Sequence, residues 1–534
     1  MSKRALLFLG AVLFLFAISS MNADACTNII VTKGASSDGS VMITYSCDGE
    51  FVPHLRLIPA ADHADSEYIE IKDWNGKVRG RIKETHHTYR VVHLMNEHQL
   101  VIGETTFTGR EELRNHDGLL HYWMLMRLAL QRARSAREAV KVMGDLVDEY
   151  GYASTGETFS IGDPNEAWIM EMIGTGPGGK GAVWVALRVP DGYICAHANK
   201  ARIGTFPMDD TLNCLHSDNV VSFAVEKGYY DPSSHKPFSF RDAYCPSDKE
   251  KIRYTATRVW SIFRRAASSL NLSSDYNRGK RGAEPYPLWI KPDHKLSLAD
   301  VISLMRDHYE GTPFDMTKGL DAGPFGTPNR WRPIVWEVNG KKYAWERPIS
   351  TQQTGFSFVS QSRASLPDAV GGVLWYGVDD TYTTCYFPLY CSINDLPGSF
   401  TTGDLQHFSW DSAWWVFNFV ANFANIKYSY MIKDIQKVQS EIEGKLIEME
   451  PFIDKTALAL YRVDPELERE YVTGYSIQSA ENIVKRWKKL GEELIVKYND
   501  GYVKDKKGRA REVGYPEEWL KRVVKSRPKQ FGLK

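Results

Sequence analysis

Seven cysteines in 534 residues, none of them in a C-x-x-C pair, are too few for a disulfide framework and complete no zinc set. Charge of one sign is also missing. The 66 Lys and Arg stand against 66 Asp and Glu, which excludes a chain that holds nucleic acid by its overall field. Beyond the first 25 residues no uninterrupted apolar run reaches the roughly 18 residues of a membrane-spanning helix, and even the Trp414 to Val420 region is interrupted by Asn418. No G-x-S-x-G elbow marks a serine hydrolase, and no H-E-x-x-H marks a metallopeptidase. His86, His87, His93 and His98 are close in sequence, but with His93 and His98 five apart on β-like segments they read as hairpin or surface residues. Gly174 to Lys180 has the spacing of a P-loop. There Gly181 replaces the Mg²⁺-binding hydroxyl, and a strand follows where a helix must begin.

What is present is a chain 43% hydrophobic and 25% charged, rich in Trp, Tyr and Phe, which excludes a disordered protein and provides for at least one large core. Its start is distinctive. Lys3 and Arg4 precede an apolar run from Ala5 to Ile18, and small and polar residues lead to Ala23-Asp24-Ala25, the layout of a secretory leader with an A-x-A junction. Residues 1–25 are therefore expected to be removed, giving an exported protein, periplasmic or secreted, with no stable membrane insertion afterwards. Removal makes Cys26 the first residue. Two other readings exist: a buried strand cysteine, and a lipoprotein acylated on Cys26, although Ala23 occupies the position where a lipobox carries Leu.

The hydrophobic period then orders the chain. Residues 27–46 read as a hairpin, with a turn near Ser37 whose register sets Cys26 opposite Asp48, and 89–95 with 99–107 read as another around Asn96-Glu97. Two helices follow at 119–134 and 136–149, separated by a reciprocal Ser135/Glu138 capping box. Strands are expected at 157–161, 167–173, 182–189 and 193–198. Further helices are expected at 248–268, capped by Ser247, and at 298–309, capped by Ser297 with Asp300, and further strands at 355–361, 371–378 and 383–391. Long loops fill 270–296 and 311–333. Amphipathic helices run from Trp410 to about 497, with breaks near Pro451 and Gly474, before a tail with eleven basic and four acidic residues over 504–534. Strand hairpins around helical pairs predict an α+β fold, divided into a leader (1–25), a main domain (26–400) and a helical C-terminal region with a basic tail (401–534). Six cysteines besides Cys26 can pair in an oxidising compartment, and Cys385 with Cys391 can either bridge or remain thiols.

An N-terminal thiol carries its own base. An α-amino group titrates near ~7.7–8.0, so part of it is neutral at pH 7 and can take the proton of a thiol of pKa ~8.5. Such a site also needs a carboxylate to orient the amine and preorganised donors for the tetrahedral oxyanion. Asp48 fits the first need, though it reads equally well as a strand-end residue.

At Cys26-Thr-Asn-Ile-Ile-Val-Thr-Lys-Gly-Ala-Ser-Ser-Asp-Gly-Ser40 the sequence resembles the dipeptidase A family of cysteine peptidases, which are N-terminal-nucleophile hydrolases. Gly103-Glu-Thr-Thr-Phe107, Gly156 to Met172, Val189-Pro-Asp-Gly192 with Ala198-Asn199, and Gln353-Thr-Gly-Phe356 extend the resemblance over most of the chain. It implies a four-layer αββα sandwich and hydrolysis of short unprotected peptides through an acyl-enzyme, with no metal or organic cofactor. Carried over, Cys26 is nucleophile and base, Asp48 holds the amine, and Asn199 binds the oxyanion. Where many relatives carry an Arg near the nucleophile or substrate, this chain has Tyr45, so Arg202 becomes a candidate for the substrate carboxylate. A rival reading keeps the site but takes N-acyl amino acids or bile-acid-type conjugates. Another is a binding lipoprotein with a degenerate hydrolase fold and a contact surface around Trp410, Trp414 and Trp415.

Overall fold

The structure is a computed structural model that describes residues 26–246 and 249–533. The expected leader and its junction, and the expected cap Ser247, lie outside the described residues. Helix and sheet mix as the α+β expectation has it. Two antiparallel sheets dominate. In the first, seven strands run in the order Trp289–Ile290, Ile194–His197, Asn28–Val31, Met42–Asp48, Thr354–Ser362, Gly372–Val378 and Phe387–Tyr390. In the second, of eight strands, Val101–Phe107, Gly156–Gly162, Ala167–Gly174 and Ala182–Arg188 form a continuous meander. Asn28–Val31 and Met42–Asp48 lie against Val101–Phe107 and Gly156–Gly162 of the facing sheet. Helices Tyr122–Arg132 and Ala136–Tyr150 pack on the eight-stranded sheet, whereas Lys249–Ala266, Leu298–Met305 and the C-terminal helices pack on the seven-stranded one.

Because both faces of the central strands are covered, Met42–Asp48, Gly156–Gly162 and Thr354–Ser362 are buried throughout, polar residues included. Those residues find partners across the interface. His197 lies between the Thr105 and Ser160 hydroxyls, 2.7 Å from each, and burial holds its imidazole neutral. The sheets approach closely at Gly103, where a Cβ would stand 2.7 Å from the Asn28 amide and 3.1 Å from the Tyr45 Cβ, so the first residue of Gly103-Glu-Thr-Thr-Phe107 has to be glycine. With its amide oriented to satisfy both partners, Asn28 pairs with the backbone N–H and C=O of Glu104 and pins the Cys26 strand to the facing sheet.

Several local expectations change. Ser135 accepts from the Glu138 N–H at 3.3 Å, but the Glu138 carboxylate turns to the Arg134 N–H, one residue before the cap, so the box is not reciprocal. At Ser297/Asp300 both arms are made. The 89–95 segment splits into Val91–Val92 and Met95–Asn96, because His93 takes a left-handed backbone between them. Neither Pro451 nor Gly474 breaks a helix: Tyr428–Val463 and Pro465–Tyr498 run through them. The break falls at Asp464, which caps the Glu466 N–H, with Pro465 in the first helical position, where its missing donor costs nothing. Pro451 survives because the helix is anchored on both sides of it. Before it, Glu443 takes a bidentate pair from Arg306 at 2.6 and 2.9 Å; on either side, Glu450 and Asp454 receive Arg363. All seven cysteines are buried free thiols, Cys385 and Cys391 among them.

The Arg363 clasp makes a test. Replacing one partner of a buried pair leaves uncompensated charge, so Arg363→Met is expected to lower the unfolding free energy by ~3 kcal/mol, read by chemical denaturation.

Candidate functional site

The hairpin that carries Cys26 is folded half a residue earlier than its sequence suggests. A 3₁₀ turn at Lys33–Ala35 takes up the connection, and the ladder pairs Thr27 with Ser46, Ile30 with Ile43 and Val31 with Met42. Continued by one residue it sets Cys26 opposite Cys47. The expected Cys26–Asp48 pairing is therefore off by one, and since side chains alternate across a strand, Asp48 points to the other face from Cys47.

On the face toward the eight-stranded sheet, Cys26 Sγ lies 4.0 Å from the Tyr45 hydroxyl and 3.9 Å from Glu104 Oε1. Tyr45 donates a short hydrogen bond to that same Glu104 oxygen, and its ring is held edge-on by Phe356 and Phe358. Beside Glu104 on the next strand is Glu157, whose Oε1 accepts from the Thr106 hydroxyl at 3.0 Å. Cys26, Tyr45, Glu104 and Glu157 are each fully buried. The thiol pKa is raised well above its ordinary value, first by the hydrogen bond with Cys47, then by burial and by the Glu104 charge. Burial also raises both carboxyls, Glu157 strongly; Glu104 raises Glu157 further, while the hydrogen bond between them opposes the rise of Glu104.

On the opposite face Asp48 is fully engaged. Arg347 donates to Oδ2 through a short ion pair and the Thr354 hydroxyl to Oδ1 at 2.6 Å. Burial raises its carboxyl, and Arg347 with Thr354 opposes that rise. Arg258, from helix Lys249–Ala266, reaches the same region. Its guanidinium donates to the Cys26 carbonyl, to Thr27 Oγ1 at 2.9 Å and to Asn199 Oδ1 at 2.8 Å. Burial lowers its pKa, yet a guanidinium keeps its proton at neutral pH.

Asn199 follows strand Ile194–His197 with a left-handed backbone, φ 55°, which asparagine tolerates better than most residues. Its Nδ2 donates to the Thr106 carbonyl at 2.7 Å, and Arg258 fixes the amide orientation through Oδ1, so the second Nδ2 hydrogen remains to be aimed. Arg202 is placed otherwise than expected. Its guanidinium donates to the carbonyls of Ala196, Tyr286, Pro287 and Leu288, which tie down the loop before Trp289, and it is occupied by backbone. A shallow cleft lies beside the Asn199 segment, lined by Ala198, Lys200, Arg202, Arg241, Tyr276 and Tyr286 among others.

Cys26, Tyr45 and Asn199 thus belong to one constellation, with Asp48 on its far face. Sequence reading missed Cys47, Glu157, Arg258 and Arg347. It quoted Glu104 within Gly103-Glu-Thr-Thr-Phe107 without giving it a role, and a lone charged residue in the middle of a β-rich segment was the available signal. A thiol held neutral as it donates toward Tyr45 and Glu104, on a strand that Arg258 ties to an oriented amide, suits attack on a carbonyl once a base is supplied at Cys26.

A profile described as peptidase family C69 matches residues 25–441. Among curated relatives, a probable dipeptidase of Salmonella dublin is 28% identical over 68% of this chain and 81% of its own length. A probable dipeptidase of Latilactobacillus sakei is 25% identical over 78% and 85%. The dipeptidase A of Lactobacillus helveticus is 22% identical over 84% and 89%.

Proposed function

The chain belongs to peptidase family C69, and from that premise we propose that it is an exported cysteine dipeptidase whose nucleophile is Cys26 with the leader removed. The observation that carries the reading is the environment of that thiol. Burial, Cys47 and Glu104 all disfavour the thiolate, so a base has to act on Cys26 itself; the α-amino group of a mature N-terminus is such a base. In this reading the two facing sheets with helices on both outer sides form the αββα sandwich of N-terminal-nucleophile hydrolases.

The steps follow from position. The neutral α-amine takes the Sγ proton, and the sulfur attacks the scissile carbonyl carbon. The carbonyl oxygen becomes an oxyanion that meets the free Nδ2 hydrogen of Asn199, whose amide Arg258 holds in place. The ammonium formed on Cys26 returns its proton to the leaving amine, the acyl-enzyme remains, and water releases it by the same relay. Asp48, polarised by Arg347 and Thr354, favours the protonated amine from the far face. The fixed positive charge that Tyr45 does not supply is held near the nucleophile by Arg258, through the Cys26 carbonyl, while Arg347 is paired with Asp48. A buried Cys26 also suits a nucleophile better than a diacylglyceryl anchor, which needs its sulfur at the surface.

Protein beginning at Cys26 is expected to hydrolyse unblocked dipeptides at least ~100-fold faster, in kcat/KM, than N-acyl amino acids or bile-acid-type conjugates; ~100-fold corresponds to about 2.7 kcal/mol of transition-state discrimination. A panel of both substrate classes, followed by release of free amine, decides it. Preference for the N-acyl compounds would transfer the site to amidase chemistry.

A further inference from the structure

Two buried acids next to the thiol have no cation of their own among the described residues. Glu104 Oε1 is used by Tyr45 and Glu157 Oε1 by Thr106, while Glu104 Oε2 and Glu157 Oε2 are buried, and the two carboxyls hydrogen-bond each other. Arg258 and Arg347 are committed on the opposite face of the Cys26 hairpin. An acid pair in this condition is costly to the fold: both carboxyls forfeit their hydration, and one proton held between them leaves a negative charge with no cation beside it among the described residues. Such a cost persists where a ligand repays it.

Building on the dipeptidase reading, we propose that Glu104 and Glu157 form the subsite for the substrate's α-ammonium group, and so make a free amino terminus a requirement. An ammonium has three N–H donors and a positive charge, which match two adjacent buried carboxyls that have only each other to offset their charge. The reach agrees as well. In a dipeptide the ammonium nitrogen is two bonds from the scissile carbonyl carbon, so when that carbon is in attack position on Cys26 Sγ the ammonium falls within the range of a carboxyl 3.9 Å from the sulfur. Thr106, itself half-buried, touches both halves of the site: its hydroxyl donates to Glu157, and its carbonyl accepts from Asn199. An N-acyl group would bring a neutral, bulkier amide against the same two oxygens, satisfying at most one of them and leaving the charge unbalanced.

The test uses the full mature protein with one dipeptide in two forms, free and N-acetylated. Glu157→Gln and Glu104→Gln keep the shape and remove a charge. Each is expected to lower kcat/KM for the free dipeptide by at least tenfold, mostly through KM, and to shrink the free-to-acetylated selectivity ratio by a comparable factor. Thermal unfolding supplies an independent readout. Since the variants remove an unbalanced buried acid, their melting temperatures should equal or exceed that of the parent, whereas a structural role would lower them. Selectivity unchanged in both variants, or equal loss on both substrates through kcat, overturns the subsite. Failure of the parent protein to hydrolyse free dipeptides would instead overturn the reading on which it rests, so the two failures are told apart.

Discussion

Mature protein carrying Cys26→Ala is expected to keep its fold and lose dipeptide hydrolysis by about 10⁴-fold or more, because nucleophile and base share that residue. The surrounding groups cannot stand in for it. Tyr45 donates to Glu104 and is raised well above its ordinary pKa by burial, and the Cys47 thiol lies across the ladder on a strand whose backbone nitrogen is an amide. Cys26→Ser should retain a small residue of activity, as a hydroxyl beside an amine remains a weak nucleophile. A form that keeps residues ahead of Cys26 should be as inactive as the alanine variant, since an amide nitrogen takes no proton near neutral pH. Amine release from a dipeptide, with the intact mass of each preparation, checks all three. A correctly processed, folded Cys26→Ala protein with full activity would falsify the mechanism.

The next largest effect is expected from Arg258→Met. One guanidinium bonds the Cys26 carbonyl, Thr27 Oγ1, the Ala198 carbonyl and Asn199 Oδ1, and so ties the nucleophile's strand to the oxyanion donor through one rigid fork. Without it these buried acceptors lose their partner and the Asn199 amide its orientation. A lesser charge that, after Arg347, opposes the rise of the Asp48 carboxyl also goes, so Asp48 shifts somewhat further toward its neutral form. A loss of ~10²–10³ in kcat follows from a misdirected oxyanion donor, with ~2–3 kcal/mol of stability from the unsatisfied acceptors. Lysine restores charge but not the fork, so Arg258→Lys should recover stability more than rate. Steady-state kinetics and denaturant melts on the same samples separate the two.

What the sequence disclosed follows the range of the interactions. Gly156–Gly162, Ala167–Gly174 and Ala182–Arg188 were legible because neighbouring strands with turn residues between them are a local pattern. Cys26 was legible because its meaning comes from the residues just before it. The register slip from Asp48 to Cys47 arose inside a single turn, where a 3₁₀ segment moved the fold axis by half a residue. Glu104 beside the thiol depends on two sheets meeting, and Arg258 comes from a helix more than 200 positions downstream. No period or spacing encodes such contacts. Pro451 and Gly474 differ from expectation for a related reason: propensity marks them as breaks, while tertiary anchors decide the helices, at Glu443, Glu450 and Asp454 around Pro451 and at Glu468 and Thr473 before Gly474.

The clasp on Arg363 also sets a timetable. The strand beginning just after Cys26 is flanked by Ile194–His197, its hairpin partner by Thr354–Ser362, and the arginine ending that run meets its carboxylates only at Glu450 and Asp454. A ribosome therefore makes the thiol first and the residues that secure its sheet hundreds of positions later, and closing contacts over such separations is slow. Throughout elongation the growing polypeptide holds Cys26 without its neighbours. On the mechanism proposed above, a competent site is therefore expected only once the last long helices have been released, and partly translated chains should present their host with nothing to restrain.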